Sequence, residues 1–167
     1  MSGCSSEDEE LSLPLAWYDM LDLHLTTVLQ APDGTMTDNQ SLNGKIVVIE
    51  FWATWCGPCR RSLSHLNEVA QECKDDPIQF ISITFEEEKV VSDFTKDNPI
   101  EGWIGIDQAS DIPRIGKTAK AFGVTAIPHA VVIDQHGFII THTHPSLISR
   151  EGLLNIMKER PWPPKNQ

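Results

Sequence analysis

Residues 45–60 read Lys-Ile-Val-Val-Ile-Glu-Phe-Trp-Ala-Thr-Trp-Cys-Gly-Pro-Cys-Arg, and this stretch decides the fold. Lys45 to Trp52 is a nearly continuous β-branched and aromatic run, the composition of a central strand buried on both faces. Glu50 alone interrupts it. Beyond the second cysteine, Leu63, Leu66, Ala70 and Cys73 recur at steps of three, four and three, which marks one face of a helix ending before Pro77. A strand, a tight turn and a helix start therefore meet at Cys56 and Cys59.

Outward from that point the alternation continues. Ile78 to Phe85 reads as a strand, Glu86 to Lys96 as an acidic-faced helix, and Lys117 to Phe122 as a short helix closed by Gly123. Ala130 to Ile133 and Phe138 to Thr143 are strands joined by the turn Asp134-Gln135-His136-Gly137. Ser146 is expected to cap a last helix running to about Glu159, with Pro161, Pro163 and Pro164 ending it. On the N-terminal side, apolar and polar residues alternate from Leu21 to Leu29 ahead of the turn Ala31-Pro32-Asp33-Gly34, the pattern of a hairpin. Residues 1–12, with four consecutive acids from Glu7 to Glu10, are expected to be a disordered tail, and residues 13–167 one domain without internal repeats. The fold class is α/β: a three-layer sandwich of a mixed central sheet flanked by helices, with an N-terminal β-hairpin extension.

Composition excludes several function classes. At 167 residues, 40% of them hydrophobic, the chain can bury a core without several disulfides as staples. Thirteen Lys plus Arg against twenty-four Asp plus Glu give a formal charge of -11, which repels nucleic acid and anionic membrane surfaces. No apolar run approaches the ~20 residues of a membrane-spanning helix. The four cysteines, at 4, 56, 59 and 73, are too few for a disulfide scaffold and isolate one close pair.

Two intervening residues let both sulfurs of Cys56-Gly57-Pro58-Cys59 meet at a helix start, where free N–H groups and the positive dipole end favour a thiolate. Cys56 is the expected nucleophile, and Cys59, one turn in, the thiol that attacks back on a mixed disulfide. The alternatives are a plain structural disulfide or a structural zinc site, but zinc needs a second ligand pair, and no other Cys-x-x-Cys or His-x-x-His follows at zinc-finger spacing. The expectation is dithiol-disulfide exchange with no metal and no organic cofactor.

Phe51-Trp52-Ala53-Thr54-Trp55-Cys56-Gly57-Pro58-Cys59-Arg60 resembles the active-site run of thioredoxins. Pro32-Asp33-Gly34, Leu42-Asn43-Gly44-Lys45 and Val131, Ile133, Asp134 with Gly137 resemble the TlpA/ResA-like branch of bacterial thiol-disulfide proteins, over roughly Leu23 to Met157. That branch usually has Glu and Pro three and five positions after the second cysteine, where this chain has Ser62 and Ser64. The resemblance implies a protein-disulfide oxidoreductase working on protein thiols and disulfides. Gly57-Pro58 resembles the reducing members, recharged by an upstream thiol reductant. It implies Glu50 as the proton acceptor for Cys59, and Ile127-Pro128 as a cis-proline loop facing the cysteines. That loop would bind an extended substrate segment as an added strand, together with Trp55, Gly57 and Pro58. It also implies a monomer at an extracytoplasmic, periplasmic or membrane-tethered location, with a cytoplasmic one as the second option. Ser2-Gly3-Cys4-Ser5-Ser6 is similar to the start of a processed bacterial lipoprotein, or else Cys4 is incidental. The alternatives on the same fold are a thiol peroxidase, whose Pro-x-x-x-Thr-x-x-Cys context is missing, and a copper-handling chaperone, whose cysteine spacing is one residue longer.

Seven further residues need placing. His129 stands either beside the sulfurs, tuning the thiolate, or turned away from them. His142 and His144 are expected to share one strand face, more simply as solvated residues than as metal ligands. Fourteen helical residues separate Cys73 from Cys59, a rise of about 21 Å, so Cys73 is expected in the core rather than in exchange with the pair. Trp17, Trp103 and Trp162 are expected to pack or cap.

Overall fold

The structure, a computed structural model, describes residues 25–29, 42 and 44–161. Its elements are β1 (Leu25–Leu29), β2 (Ile46–Phe51), α1 (Gly57–Glu72), β3 (Ile78–Thr84), α2 (Glu88–Asp97), β4 (Trp103–Asp107), α3 (Lys117–Ala121), β5 (His129–Ile133), β6 (Ile139–Thr143) and α4 (Arg150–Glu159). They form one six-stranded sheet in the order β1-β4-β3-β2-β5-β6. β2 pairs parallel with β3, and β3 with β4, as two helix-crossover units require. β1–β4, β2–β5 and β5–β6 are antiparallel, so the sheet is mixed.

Every residue of β2 is buried, as its β-branched run demands of a strand covered on both faces. Val47, Ile49 and Phe51 pack on one face with Ile81, Ile83, Val131 and Ile133, beneath Ala119 and Phe122 at α3. Ile46 and Val48 pack on the other with Phe80, Ala130 and Val132, beneath Leu66, Val69 and Cys73 of the α1 side and Leu153 of α4. Each fully buried aliphatic side chain contributes roughly 1.5–3 kcal/mol, which makes β2 the axis of the core. A third cluster covers the carboxyl end of β2: Trp52, Ala53, Cys56, Cys59 and Leu63 meet Val91 of α2 and Ile104 and Ile106 of β4. The strand, turn and helix start expected from residues 45–60 are thus fixed by packing on three sides.

The structure corrects several element boundaries. β4 has no counterpart in the sequence reading; with Gly105 at its centre its local β signal is weak, and pairing with both β3 and β1 makes it a strand. β1 forms the sheet edge against β4, while the turn Ala31–Gly34 expected to follow it lies outside the described residues, as do residues 1–12, Cys4, Trp17 and Trp162. α2 starts at Glu88 rather than Glu86, because Glu86 is engaged elsewhere. The last helix is capped by Ser149, whose hydroxyl accepts from the Gly152 N–H at 3.2 Å, and not by Ser146. Pro145 instead starts a separate 3₁₀ turn, Pro145–Leu147, which absorbs Ser146. Asp107, at the end of β4, accepts from Thr118 N (2.9 Å) and Ala119 N (3.1 Å) and so ties α3 to the sheet. A side chain at Gly116 would collide with that carboxylate, hence the glycine.

Candidate redox site

β2 ends at Phe51, and the Cys56 N–H donates to Ala53 O at 3.1 Å to close the turn into α1. Cys56 is the N-cap of this sixteen-residue helix, with Pro58 in its first turn where a missing N–H costs nothing. The Cys59 N–H points at Cys56 Sγ at 3.2 Å, so an otherwise unpaired helix-start donor faces the outer sulfur. The two sulfurs are bonded, with Cα atoms 5.2 Å apart. Cys59 is fully buried and Cys56 is 6% exposed, so an incoming disulfide reaches Cys56 first. Trp55 beside it stands out into solvent at 58% exposure.

Glu50 is 1% exposed, and neither carboxylate oxygen has a hydrogen-bond partner among the described residues. It lies on the α1 face of β2, flanked by Ser82 and Ala130, and shares a crevice too small for water with Leu63, one turn beyond Cys59. Burial pushes its carboxyl well above the usual carboxylate range. An unpaired acid held under the cysteine helix is suited to taking and returning a proton.

Ile127-Pro128 is a cis peptide, as the resemblance implied, and Ile127 packs on the cluster that contains both cysteines. His129, the next residue, places its Nε2 3.0 Å from Nδ1 of His142. Burial, then the neighbouring His142, lowers its pKa. His142 therefore pairs diagonally across β5 and β6 rather than with His144, which leaves the strand and accepts from Ser146 N to cap the 3₁₀ turn. Among the described residues no three His, Cys, Asp or Glu side chains gather as metal ligands. Cys73 is 2% exposed in the α1-side core, its thiol pushed up to about 11 by burial and then by Asp76.

Two residues at the site escaped the sequence reading. Glu86, taken there as helix face, accepts from Thr54 N (2.6 Å) and Thr54 Oγ1 (2.7 Å), and from Thr84 Oγ1 (3.2 Å), anchoring the loop between β2 and Cys56. Arg114 carries its guanidinium to 5.9 Å from the centre of the Trp55 ring. No local pattern announces either contact, since each joins segments more than thirty residues apart.

A mixed sheet with a dithiol at the first turn of the helix after its central strand, opposite a cis-proline loop, defines the thioredoxin-like class. Within that class the chain belongs to the Redoxin family, which residues 22–151 match, and it is TlpA/ResA-like. It is 28% identical over 109 residues to the thiol-disulfide oxidoreductase ResA of Bacillus thuringiensis, covering 65% of this chain and 60% of that one. The chain thus spans about three fifths of the curated relatives it matches first. A thiol-disulfide isomerase of Corynebacterium glutamicum superposes with a TM-score of 0.68 at 18% identity, over 82% of this chain and 92% of the other. A secreted disulfide oxidoreductase of Mycobacterium tuberculosis gives 0.57 at 22% identity, over 81% and 97%.

Proposed function

We propose that this chain is a thiol-disulfide oxidoreductase that reduces disulfides in protein substrates. The observation that carries the reading is the Cys59 N–H aimed at Cys56 Sγ from the start of α1, with Cys59 fully buried and Cys56 the more exposed of the two. In the reduced protein the Cys56 thiolate attacks one sulfur of a substrate disulfide; that S–S bond breaks, and the other substrate sulfur leaves as a thiolate and takes a proton. Cys59 then gives its proton to Glu50 and attacks Cys56 Sγ, which forms the Cys56–Cys59 bond and releases the second substrate thiol. Two electrons pass from the dithiol to the substrate. Trp55, Gly57, Pro58, Ile127 and Pro128 form the bed on which an extended segment lies.

The protein works as a monomer outside the cytoplasm and is recharged by an upstream thiol reductant. The likeness to ResA and to a secreted bacterial disulfide oxidoreductase supports that placement. Among the described residues no helix is long and apolar enough to cross a membrane. Reduction of insulin by dithiothreitol, followed by turbidity, tests the reading: the wild-type protein accelerates it and Cys56→Ser abolishes the acceleration. Full activity in that variant overturns the assignment.

A further inference from the structure

Five arginines lie among the described residues, and they divide sharply. Arg150 pairs with Asp76 at 2.8 Å and Arg160 with Asp134 at 2.6 Å, both away from the dithiol. Arg60, Arg61 and Arg114 are exposed, and none of them has an ion-pair partner among the described residues. All three border the redox loop. Arg60 and Arg61 follow Cys59 directly, each four residues after a member of the motif, Cys56 and Gly57 respectively. Long helical side chains tend to lean toward the N-terminus and cover the preceding turn, and Arg61 follows that tendency toward the cysteine end of α1, while Arg60 borders a groove with Asn67 and Asp97. Arg61 Nη1 accordingly lies 4.0 Å from where a Gly57 side chain would begin. Arg114 comes from the loop before α3 with φ 64°, the one non-glycine positive φ among the described residues, and lies over exposed Trp55. That conformation is uncommon for an L residue, and it fixes the direction in which the guanidinium leaves the loop.

None of the nearby acids is ion-paired to these arginines among the described residues. Glu86 is engaged by Thr54 and Thr84, Asp111 by Lys120 at 2.6 Å, and Asp107 by the start of α3. Asp97 borders the groove beside Arg60 without pairing to it. In a chain of formal charge -11, three guanidinium groups without an ion-pair partner among the described residues concentrate positive charge beside the redox loop.

Resting on the oxidoreductase reading above, we propose that Arg60, Arg61 and Arg114 form a cationic rim that selects disulfides lying in acidic segments of protein substrates. Guanidinium forks match carboxylates in geometry, and Trp55, backed by Arg114, supplies an apolar platform next to the reacting sulfur. The chain's net negative charge disfavours acidic partners on the whole, so the rim is where such a partner docks best. Complementary charge of this kind acts mainly on the encounter rate and on discrimination between substrates.

Three disulfide-linked, fluorescence-quenched peptide dimers test this, identical except for Asp, Ser or Lys on both sides of the cysteine. With the reduced protein at low salt, kcat/KM for the Asp peptide exceeds that for the Lys peptide by roughly tenfold or more, and high salt shrinks the ratio. Arg60→Gln/Arg61→Gln/Arg114→Gln brings the ratio close to one. Lys45→Gln/Lys74→Gln/Lys158→Gln, which removes the same charge elsewhere, keeps it. Arg114→Gln alone lowers it partway and serves if the triple variant folds poorly. Equal turnover of the three peptides by the wild type, or an undiminished ratio in the arginine variants, overturns the rim while leaving thiol-disulfide exchange standing. Failure to reduce any of the three overturns both.

Discussion

Glu50→Gln removes one ionisable group from a strand position that is 1% exposed, and nearly preserves its shape. The unfolded carboxyl titrates near ~4.3, whereas burial without a partner raises the folded one well above its ordinary value. Below the unfolded pKa both states hold the proton, and the stability linked to it is fully present. As pH rises, the unfolded chain releases the proton first, and that stability is lost progressively up to and through the folded pKa. One proton corresponds to at most about 1.4 kcal/mol per pH unit, so as pH rises from ~4.5 toward neutrality the wild type loses stability steadily relative to the Gln variant until the folded carboxyl itself ionises. Against a total stability on the order of 5–15 kcal/mol this is easily measured. Urea melts of both oxidised proteins across that range supply the difference directly. A difference that stays flat with pH refutes the assignment of a buried, unpaired Glu50 whose carboxyl is raised above the ordinary range. The same variant, reduced and mixed with a disulfide substrate in stopped flow, accumulates mixed disulfide because Cys59 has lost its proton acceptor.

Cys73→Ala keeps full insulin-reducing activity and loses on the order of 1 kcal/mol in a denaturant melt, since Cys73 packs in the core on the α1 side; lost activity with an intact fold contradicts its placement. In the native protein Cys73 also resists alkylation at neutral pH, because burial holds the thiol at about 11. Glu86→Gln replaces a charge-assisted clamp on Thr54 by a weaker one and lowers the rate of disulfide reduction several-fold, with the circular dichroism spectrum unchanged; an unaltered rate shows that the loop is held without it.

The parts of the fold legible in the sequence are those set by local pattern. The run Ile46–Phe51, the apolar stripe Leu63, Leu66, Ala70 and Cys73, and the spacing of Cys56 and Cys59 each carry their structure in a few neighbouring residues. β4 does not: a five-residue strand with glycine at its centre becomes a strand through its two neighbours in the sheet. Ser146 and Ser149 are equivalent as caps until Pro145 starts its own turn. His142 faces His129 and not His144 because cross-strand register, absent from any local window, decides the pairing. Glu86 and Arg114 illustrate the same limit at the site itself, for both reach the redox loop from distant segments.

The central claim is that Cys56 attacks and Cys59 resolves. Cys59→Ser, in a Cys4→Ser background that removes a competing thiol, is incubated with excess oxidised insulin and its intact mass is read under nonreducing conditions. A covalent adduct that dithiothreitol removes and that maps to Cys56 is the predicted result, because attack survives and resolution does not. Cys56→Ser in the same background forms no comparable adduct, since the remaining site thiol is fully buried. No adduct on Cys59→Ser, or an adduct that maps to Cys73, contradicts the account.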